Sequence, residues 1–229
     1  MKKKIIVLTG AGISAESGLQ TFRGSNGLWN GYNIYEVASP QGWQKDPAMV
    51  LDFYNMRRRE VAKAKPNLAH KVLVELEKKF EVIIITQNID NLHEQAGSSH
   101  IIHLHGEIIK AQSTTNPELI YNIEFEDIEI GQTCELGSQL RPFIVWFGEA
   151  VPMIEKAVHK CADADILIVV GTSLQVYPAA GLIHEVPSVS KKYIIDPEAV
   201  HASPFKNIEY IKATATEGLP MLVNQLLHD

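Results

Sequence analysis

Short apolar runs recur along the chain, and several are separated by segments with helical periodicity. The runs are residues 5–8, 82–85, 101–104, 143–146, 166–170 and 193–195. Strands that alternate with helices typically pair in parallel, with the helices packed on the faces of the sheet. The sequence therefore predicts an α/β fold, in which a Rossmann-like parallel sheet carries helices on both faces.

Two segments depart from this alternation. Residues 28–66 look helical, since Asp46 suits an N-cap and Pro47 the first helical position of a helix through about Lys63. Asn67 is expected to cap another helix through Lys79. Residues 107–140 are polar and mixed. We expect residues 1–27, 67–106 and 141–229 to form one Rossmann-like domain, with the insertions 28–66 and 107–140 forming a smaller lobe.

Composition excludes several classes of protein. The chain has 229 residues and a net charge of −6, so it lacks the basic surface that nucleic-acid binding favours. No segment reaches the roughly 20 apolar residues of a membrane span. Two cysteines, Cys134 and Cys161, cannot form a disulfide framework and are typical of a reducing compartment. We expect a cytoplasmic monomer without nucleic-acid or membrane partners.

A glycine-rich turn follows the first apolar run. Gly10 and Gly12 would let the backbone turn tightly and bring amides to a phosphate at a helix N-terminus. The usual dinucleotide fingerprint is incomplete, because Ala15 stands where the third glycine belongs. The turn alone fits either a nucleotide site or a simple connection between strand and helix.

Polar residues also follow three later runs, at the carboxyl ends where open α/β sheets bind ligands. These residues are Gln87, Asn88, Asp90, His105, Gly171, Thr172 and Ser173. Histidine suits proton transfer near neutral pH. Alternatively, His105 is structural, whereas Asn88, Asp90 and Thr172 cap helices. His103 should point to the opposite face of the strand. Convergence of four strand ends favours a ligand site.

Six segments together resemble the sirtuins, the NAD-dependent protein-lysine deacylases. They are residues 10–24, 86–90, 105–106, 140–142, 145–149 and 171–174, which occur in the order of the family and span most of the chain. The resemblance implies that NAD lies between the large domain and the small lobe, and that an acyl-lysine peptide enters from the other side. The implied products are nicotinamide, 2'-O-acyl-ADP-ribose and free lysine.

The resemblance also implies roles for single residues. His105 would be the general base, while Asn88 and Asp90 hold the ribose and the nicotinamide amide. The implied cofactor contacts also include Gly10, Ala11, Gly12, Ser14, Ala15, Phe22, Arg23, Gln87, Gly171, Thr172, Ser173 and Asp196. Val145, Trp146, Phe147 and Gly148 would pair with the substrate backbone. Asp196 stands where asparagine is usual, and its carboxylate should repel a 2'-phosphate, so we expect NAD rather than NADP.

Tyr54 and Arg57 lie three residues apart on the predicted helix and so share a face. A guanidinium can bind a carboxylate through two hydrogen bonds, and a phenol can add a third. Alternatively, Arg57, Arg58 and Arg59 form a solvated basic face. Residues 53–60 resemble the desuccinylase-like subgroup of sirtuins, in which such a pair reads an acidic acyl group. We expect succinyl or malonyl substrates, with weaker activity on acetyl-lysine.

The small lobe departs from the sirtuin pattern. Sirtuins usually hold a structural zinc through two Cys-x-x-Cys pairs, but Cys134 is the only cysteine within residues 107–141, which contain no histidine. Ser113 stands near the first expected cysteine, and Thr133 and Leu136 stand near the second pair. We predict a lobe without metal, in which a strand or hairpin packs through Leu119, Ile120, Ile123, Phe125, Ile128 and Ile130.

Two other functions stay open. The same fold could transfer ADP-ribose to proteins, or the chain could be a non-catalytic NAD sensor. The presence of Asn88, Asp90 and His105 argues against a sensor.

Overall fold

The computed structural model describes residues 2–21, 28–29, 31–198 and 207–228. The strands are β1 (Lys4–Thr9), β2 (Leu28–Trp29), β3 (Tyr32–Asn33), β4 (Glu81–Thr86), β5 (Ile101–His103), β6 (Gly106–Ser113), β7 (Ile120–Asn122), β8 (Leu140–Ile144), β9 (Ile166–Val170), β10 (Lys191–Ile195) and β11 (Ile208–Ile211). The helices are α1 (Gly12–Ala15), α2 (Ile34–Val37), α3 (Pro40–Lys45), α4 (Pro47–Lys63), α5 (Leu68–Leu76), α6 (Leu92–Ala96), α7 (Ile154–Cys161) and α8 (Ala215–His228), with a 3-10 helix at Ala179–His184. No helix among these residues is long and apolar enough to cross a membrane.

The main sheet is parallel and has the order β11-β10-β9-β1-β4-β5. Its central strand β1 is buried on both faces, which is why it appears in the sequence as a continuous apolar run. Ile5 and Val7 pack in one cluster with residues of α5 and α8, whereas Ile6 and Leu8 pack with α7 and the 3-10 helix. The predicted α/β fold, with helices on both faces of a parallel sheet, is confirmed.

The strand register brings four strand ends together. Thr9 of β1 pairs with Thr86 of β4 and with Val170 of β9, and Thr86 also pairs with His103 of β5. The residues after these strands therefore emerge at one edge of the sheet.

The predicted caps place both long helices correctly. Asp46 Oδ1 accepts a hydrogen bond from the Met49 amide at 2.9 Å, and α4 extends through Lys63 as expected. Asn67 caps α5, but this helix ends at Leu76 rather than Lys79. The amides of residues 77–79 each bond to the carbonyl three residues earlier, so the chain tightens before it enters β4.

One predicted strand has a different partner. The run at 143–146 was expected to join the parallel sheet, but β8 pairs antiparallel with β6 in a separate sheet of order β7-β6-β8. Gly106 turns the chain toward this sheet with a φ of +83°, and a Cβ there would lie 2.1 Å from the Phe143 carbonyl oxygen. Only glycine can adopt this left-handed conformation so close to the neighbouring backbone. The expectation was wrong because the apolar run does not show which sheet it joins.

The antiparallel sheet β7-β6-β8 packs against the segment 28–66. This segment contains the antiparallel pair β2–β3 as well as helices α2, α3 and α4. Of the apolar residues expected to pack the small lobe, Ile128 is buried against Leu51 and Ala111. Ile120 lies in β7 but is 44% exposed, and Ile130 is 58% exposed. Apolar packing therefore joins the two insertions at only part of the expected surface.

A buried polar network also joins α4 to residues 107–140. The Asn55 side chain donates to the Ile128 carbonyl and accepts from the Ile128 amide, both at 2.9 Å. Arg58 is fully buried and donates to the Ile108 carbonyl at 2.8 Å and to Asn55 Oδ1 at 2.7 Å. Removing a buried side-chain amide costs the most stability when another buried polar group is thereby left without a hydrogen-bond partner. Asn55 and Arg58 thus fasten the helix to β6 and to the irregular segment that contains Ile128.

Replacing Asn55 with alanine should destabilise the protein by about 3 kcal/mol, because two backbone bonds are lost and Arg58 loses a buried partner. The free energy of unfolding from urea titration checks this. The matched control is Asp52→Ala at an exposed position of the same helix, with an expected change under about 0.5 kcal/mol. Equal effects of the two substitutions would contradict the assigned network.

Candidate functional site

A cavity of about 540 Å³ is lined by residues that follow the aligned strand ends and by residues of the small lobe. The residues predicted from the sequence that line it are Gly10, Ala11, Gly12, Ser14, Ala15, Tyr54, Arg57, Gln87, Asn88, Asp90, His105, Val145, Trp146, Phe147, Gly148, Gly171, Thr172, Ser173 and Asp196. Phe22 and Arg23 lie outside the described residues. Residues of the insertion 28–66, of the loop after β8 and of the parallel sheet edge thus share one cavity.

Two glycine turns form one wall of the cavity. The Gly10 amide donates to the Val170 carbonyl at 3.1 Å, and the Gly12 amide donates to the Gly171 carbonyl at 2.8 Å. Gly171 has a φ of +67°, and a Cβ there would lie 2.3 Å from the Ile13 amide nitrogen. The two turns can therefore touch only because glycine occupies these positions.

A buried hydrogen-bond network joins Ser14 to Asn88 and Asp90. Ser14 Oγ donates to Asp90 Oδ2 at 3.0 Å and accepts from Asn88 Nδ2 at 3.1 Å. Asp90 Oδ1 also accepts from the Leu92 amide at 3.1 Å, so the carboxylate helps to cap α6. Burial raises the pKa of Asp90, an effect that the hydrogen bonds from Leu92 and Ser14 oppose. The capping and cavity-lining interpretations of Asp90 therefore both hold.

The ring orientation of His105 is fixed by the backbone. His105 Nδ1 lies 3.0 Å from the Gln87 carbonyl oxygen, which can only accept a hydrogen bond. Nδ1 therefore carries the proton, and Nε2 of the neutral ring keeps a lone pair. Burial lowers the pKa of His105, so the ring stays neutral at neutral pH. His105 thus has the protonation state of a general base.

His103 lies outside this cavity, as expected, but strand alternation is not the reason, because it places residues two apart on the same face. The strand β5 ends at His103, so His105 lies beyond it. Its Nδ1 contacts the Asn88 carbonyl at 3.1 Å, and its Nε2 contacts Glu94 Oε1 at 2.7 Å. Burial lowers the pKa of His103, but the hydrogen bond and charge of Glu94 outweigh burial and raise it overall. The surroundings therefore raise the pKa of His103 and lower the pKa of His105.

The sheet edge beside Gly171 contains further polar contacts. Gln87 Nε2 donates to Thr172 Oγ1 at 3.1 Å, which joins the ends of β4 and β9. Thr172 Oγ1 also accepts from the Leu174 amide at 3.3 Å. Asp196 is buried at the end of β10, where its Oδ1 accepts from the Glu198 amide at 2.9 Å. The sequence did not indicate that Thr214 and Ala215, at the start of α8, also line the cavity.

The opposite part of the cavity contains Tyr54 and Arg57 of α4. Arg57 is 5% exposed, donates to Glu60 Oε2 at 2.7 Å and has its Cζ 5.2 Å from the ring centroid of Trp29. Its Nε has no hydrogen-bond partner among the described residues. Burial lowers the pKa of Arg57, although Glu60 opposes this effect. Arg57 is thus a buried cation rather than part of a solvated basic face.

An ion pair missed by the sequence analysis holds the loop after β8. Arg141 donates to both carboxylate oxygens of Glu149, at 2.7 and 3.0 Å, and to the Ile144 carbonyl at 2.8 Å. Glu149 Oε2 also accepts from the Trp146 amide at 2.8 Å. The ion pair thereby fixes the backbone of the residues that line the cavity. Arg141 and Glu149 stand in matching motifs, but their pairing could not be deduced from them.

Ser113, Thr133 and Leu136 stand near positions where a zinc-binding lobe would have cysteines, and only Cys134 is a cysteine. Cys134 Sγ lies 3.4 Å from Ser113 Oγ, which also accepts from the amides of Thr115 and Asn116 at 3.2 Å. Thr133 pairs with Gln139 in an isolated bridge, and Leu136 is exposed. Within the part of the chain that the structure describes, no group of three or more His, Cys, Asp or Glu residues could hold a metal ion.

Comparison with known proteins agrees with this geometry. A sequence model of the Sir2 family matches residues 10–178. An NAD-dependent protein deacylase of Bacteroides thetaiotaomicron is 52% identical over 98% of both chains, and one of Helicobacter pylori is 51% identical over 98% of both. The crystal structure of a Sir2 homologue with NAD has a TM-score of 0.89, with 38% identity over 99% of this chain and 90% of that chain.

The two histidines of this segment should titrate in a defined order. We expect the imidazole of His105 to titrate below pH 6.5, because burial disfavours its charged form, and His103 above it. An NMR titration of the ring C–H resonances, assigned with His105→Asn and His103→Asn variants, measures both pKa values. A His105 pKa above that of His103 would contradict the assigned environments.

Proposed function

Because the chain belongs to the Sir2 family, we propose that it is an NAD-dependent protein-lysine deacylase that prefers succinyl and malonyl groups over acetyl groups. Acylated lysines of proteins are its substrates, and nicotinamide, 2'-O-acyl-ADP-ribose and free lysine are its products. The buried, incompletely paired guanidinium of Arg57 in the cavity is the observation that carries the acyl preference.

The described cavity fits NAD in size and in chemistry. Its volume of about 540 Å³ lies within the range of ligand sites. The turns at Gly10 and Gly171 line the cavity with backbone, which suits a phosphate, while Thr172, Ser173 and Asp196 offer groups for ribose hydroxyls. When bound, NAD supplies an anomeric carbon whose bond to nicotinamide is broken. We assign Asp196 to the preference for NAD over NADP.

Three groups of the chain would assist at that carbon. His105 accepts a ribose hydroxyl proton at Nε2, since Nδ1 already donates to Gln87. Asn88 and Asp90 orient the ribose and the nicotinamide amide, and their bonds to Ser14 hold them in place before the ligand arrives. Pre-organised dipoles need no rearrangement when charge develops.

Electrostatics favours an acidic acyl group beside Arg57. Removing a guanidinium from water is costly unless hydrogen bonds and an opposite charge compensate it. Glu60 compensates part of this cost, but Nε keeps an unused donor among the described residues. A terminal carboxylate in the cavity can compensate the charge of this guanidinium, whereas an acetyl methyl group cannot. Arg57 therefore distinguishes the two substrates by charge.

The Tyr-x-x-Arg assignment predicts a selective effect of Arg57→Ala. We expect kcat/KM for a succinyl-lysine peptide to fall about 10- to 100-fold more than for the matching acetyl-lysine peptide, because charge-assisted hydrogen bonds are lost. Nicotinamide release measures both rates.

Arg59→Ala is the matched control, because Arg59 is an exposed arginine of the same helix that pairs with Asp127. It should leave the ratio of the two rates unchanged. If Arg57→Ala lowers both rates equally, Arg57 has only a structural role, and the proposed acyl preference fails.

We also propose that the small lobe is stable without zinc. The Asn55 and Arg58 network, together with Ile128, joins its two insertions by hydrogen bonds and burial. Metal analysis of the purified protein should therefore give far less than one zinc per chain, and EDTA should leave the urea midpoint unchanged. Stoichiometric zinc with a lower midpoint in EDTA would contradict this proposal.

We propose the cytoplasm as the location, because both cysteines are free and buried, as is typical of a reducing compartment. We further propose a monomer without nucleic-acid or membrane partners. The net charge of −6 is consistent with the absence of a nucleic-acid partner.

A further inference from the structure

The side chain of Trp146 forms a hydrogen bond with Tyr54. The proposed pairing of residues 145–148 with the substrate backbone does not require this bond. The indole Nε1 of Trp146 lies 3.1 Å from the hydroxyl oxygen of Tyr54. An indole N–H can only donate, so the Tyr54 oxygen must be the acceptor in this pair. The phenol proton therefore points to a different partner.

The surroundings of Tyr54 leave that proton for a ligand. Tyr54 is fully buried, Trp146 is 2% exposed, and both line the cavity. No acceptor for the phenol proton lies within hydrogen-bond distance among the residues that the structure describes. Burial raises the pKa of Tyr54, so the hydroxyl stays protonated and remains a donor.

Two further side chains contact the Trp146 indole, and a third holds the backbone amide of this residue. The Arg141 guanidinium lies 3.4 Å from the centroid of the Trp146 ring, and Glu149 binds the Trp146 amide. The ring of Trp43 packs against the indole at a centroid distance of 5.7 Å. A fixed indole fixes the direction in which the Tyr54 oxygen accepts.

We propose that Trp146 is a positioning residue for acyl-group selection: its indole N–H holds the Tyr54 hydroxyl as a donor, so the acyl end beside it must offer an acceptor. This inference rests on the proposed preference for acidic acyl groups. Besides the charge of Arg57, the Tyr54 hydroxyl would then select the acyl group by its need for an acceptor, since a carboxylate accepts a hydrogen bond and a methyl group does not.

Trp146→Phe removes the N–H and keeps an aromatic ring. We expect kcat/KM for the succinyl-lysine peptide to fall about five- to tenfold more than for the acetyl-lysine peptide, through a higher KM, as for loss of one buried hydrogen bond. Tyr121→Phe is the control, because it also removes one aromatic hydrogen-bond donor but lies in β7 outside the cavity, and both rates should stay unchanged. Equal losses on both peptides in Trp146→Phe would overturn the proposal.

A double-mutant cycle tests whether Trp146 acts through Tyr54. Once Tyr54→Phe has removed the hydroxyl, adding Trp146→Phe should not change the succinyl-to-acetyl ratio further. A further drop of fivefold or more would overturn the proposed route. A wild-type protein without succinyl preference would instead refute the proposed function, so the two failures are distinguishable.

An NMR measurement does not depend on the folding of Trp146→Phe. The chain has three tryptophans, so it gives three indole N–H resonances. Tyr54→Phe should shift the Trp146 resonance by more than the Trp43 resonance, because its acceptor is lost. An unshifted Trp146 resonance would overturn the hydrogen bond on which the proposal depends.

Discussion

The parallel register of the central strands is the constraint on which the site depends. Thr9, Thr86 and Val170 lie side by side because β1 pairs in register with β4 and β9. Apolar burial on both faces stabilises this register, since a slip of one residue would exchange the residues of the two faces. The hydrophobic core therefore determines where the glycine turns, the Asn88 and Asp90 network and His105 lie.

The second wall of the cavity is fixed by polar contacts in addition to an apolar core that includes Tyr54, Ile108 and Trp146. Asn55 and Arg58 fasten α4 to the second insertion, and the Arg141–Glu149 ion pair holds the loop that contains Trp146. Asn55, Arg58 and Arg141 are buried with partners, which makes loss of one partner costly. Tyr54 and Arg57 lie on α4 and face the cavity that this loop completes. Stability of the lobe and geometry of the proposed acyl site therefore depend on the same helix.

The sequence predicted the parts of the structure that follow local rules. Alternating runs and strand ends predicted the sheet, and the caps at Asp46 and Asn67 predicted the starts of both long helices. The antiparallel pairing of β8 escaped prediction because it depends on the left-handed turn at Gly106. Consecutive arginines could not be sorted by pattern either, yet Arg57 and Arg58 are buried and Arg59 is exposed. The contact between Trp146 and Tyr54 joins residues 92 positions apart, which no local rule connects.

We propose that one cavity brings NAD together with an acyl-lysine that has an acidic end. The most direct test of this proposal is mass analysis of the products after incubation with NAD and a succinyl-lysine peptide. We expect one succinyl-ADP-ribose and one nicotinamide for each free lysine formed. Gain of ADP-ribose by a protein without loss of the acyl group, or NAD binding without nicotinamide release, would contradict the proposal.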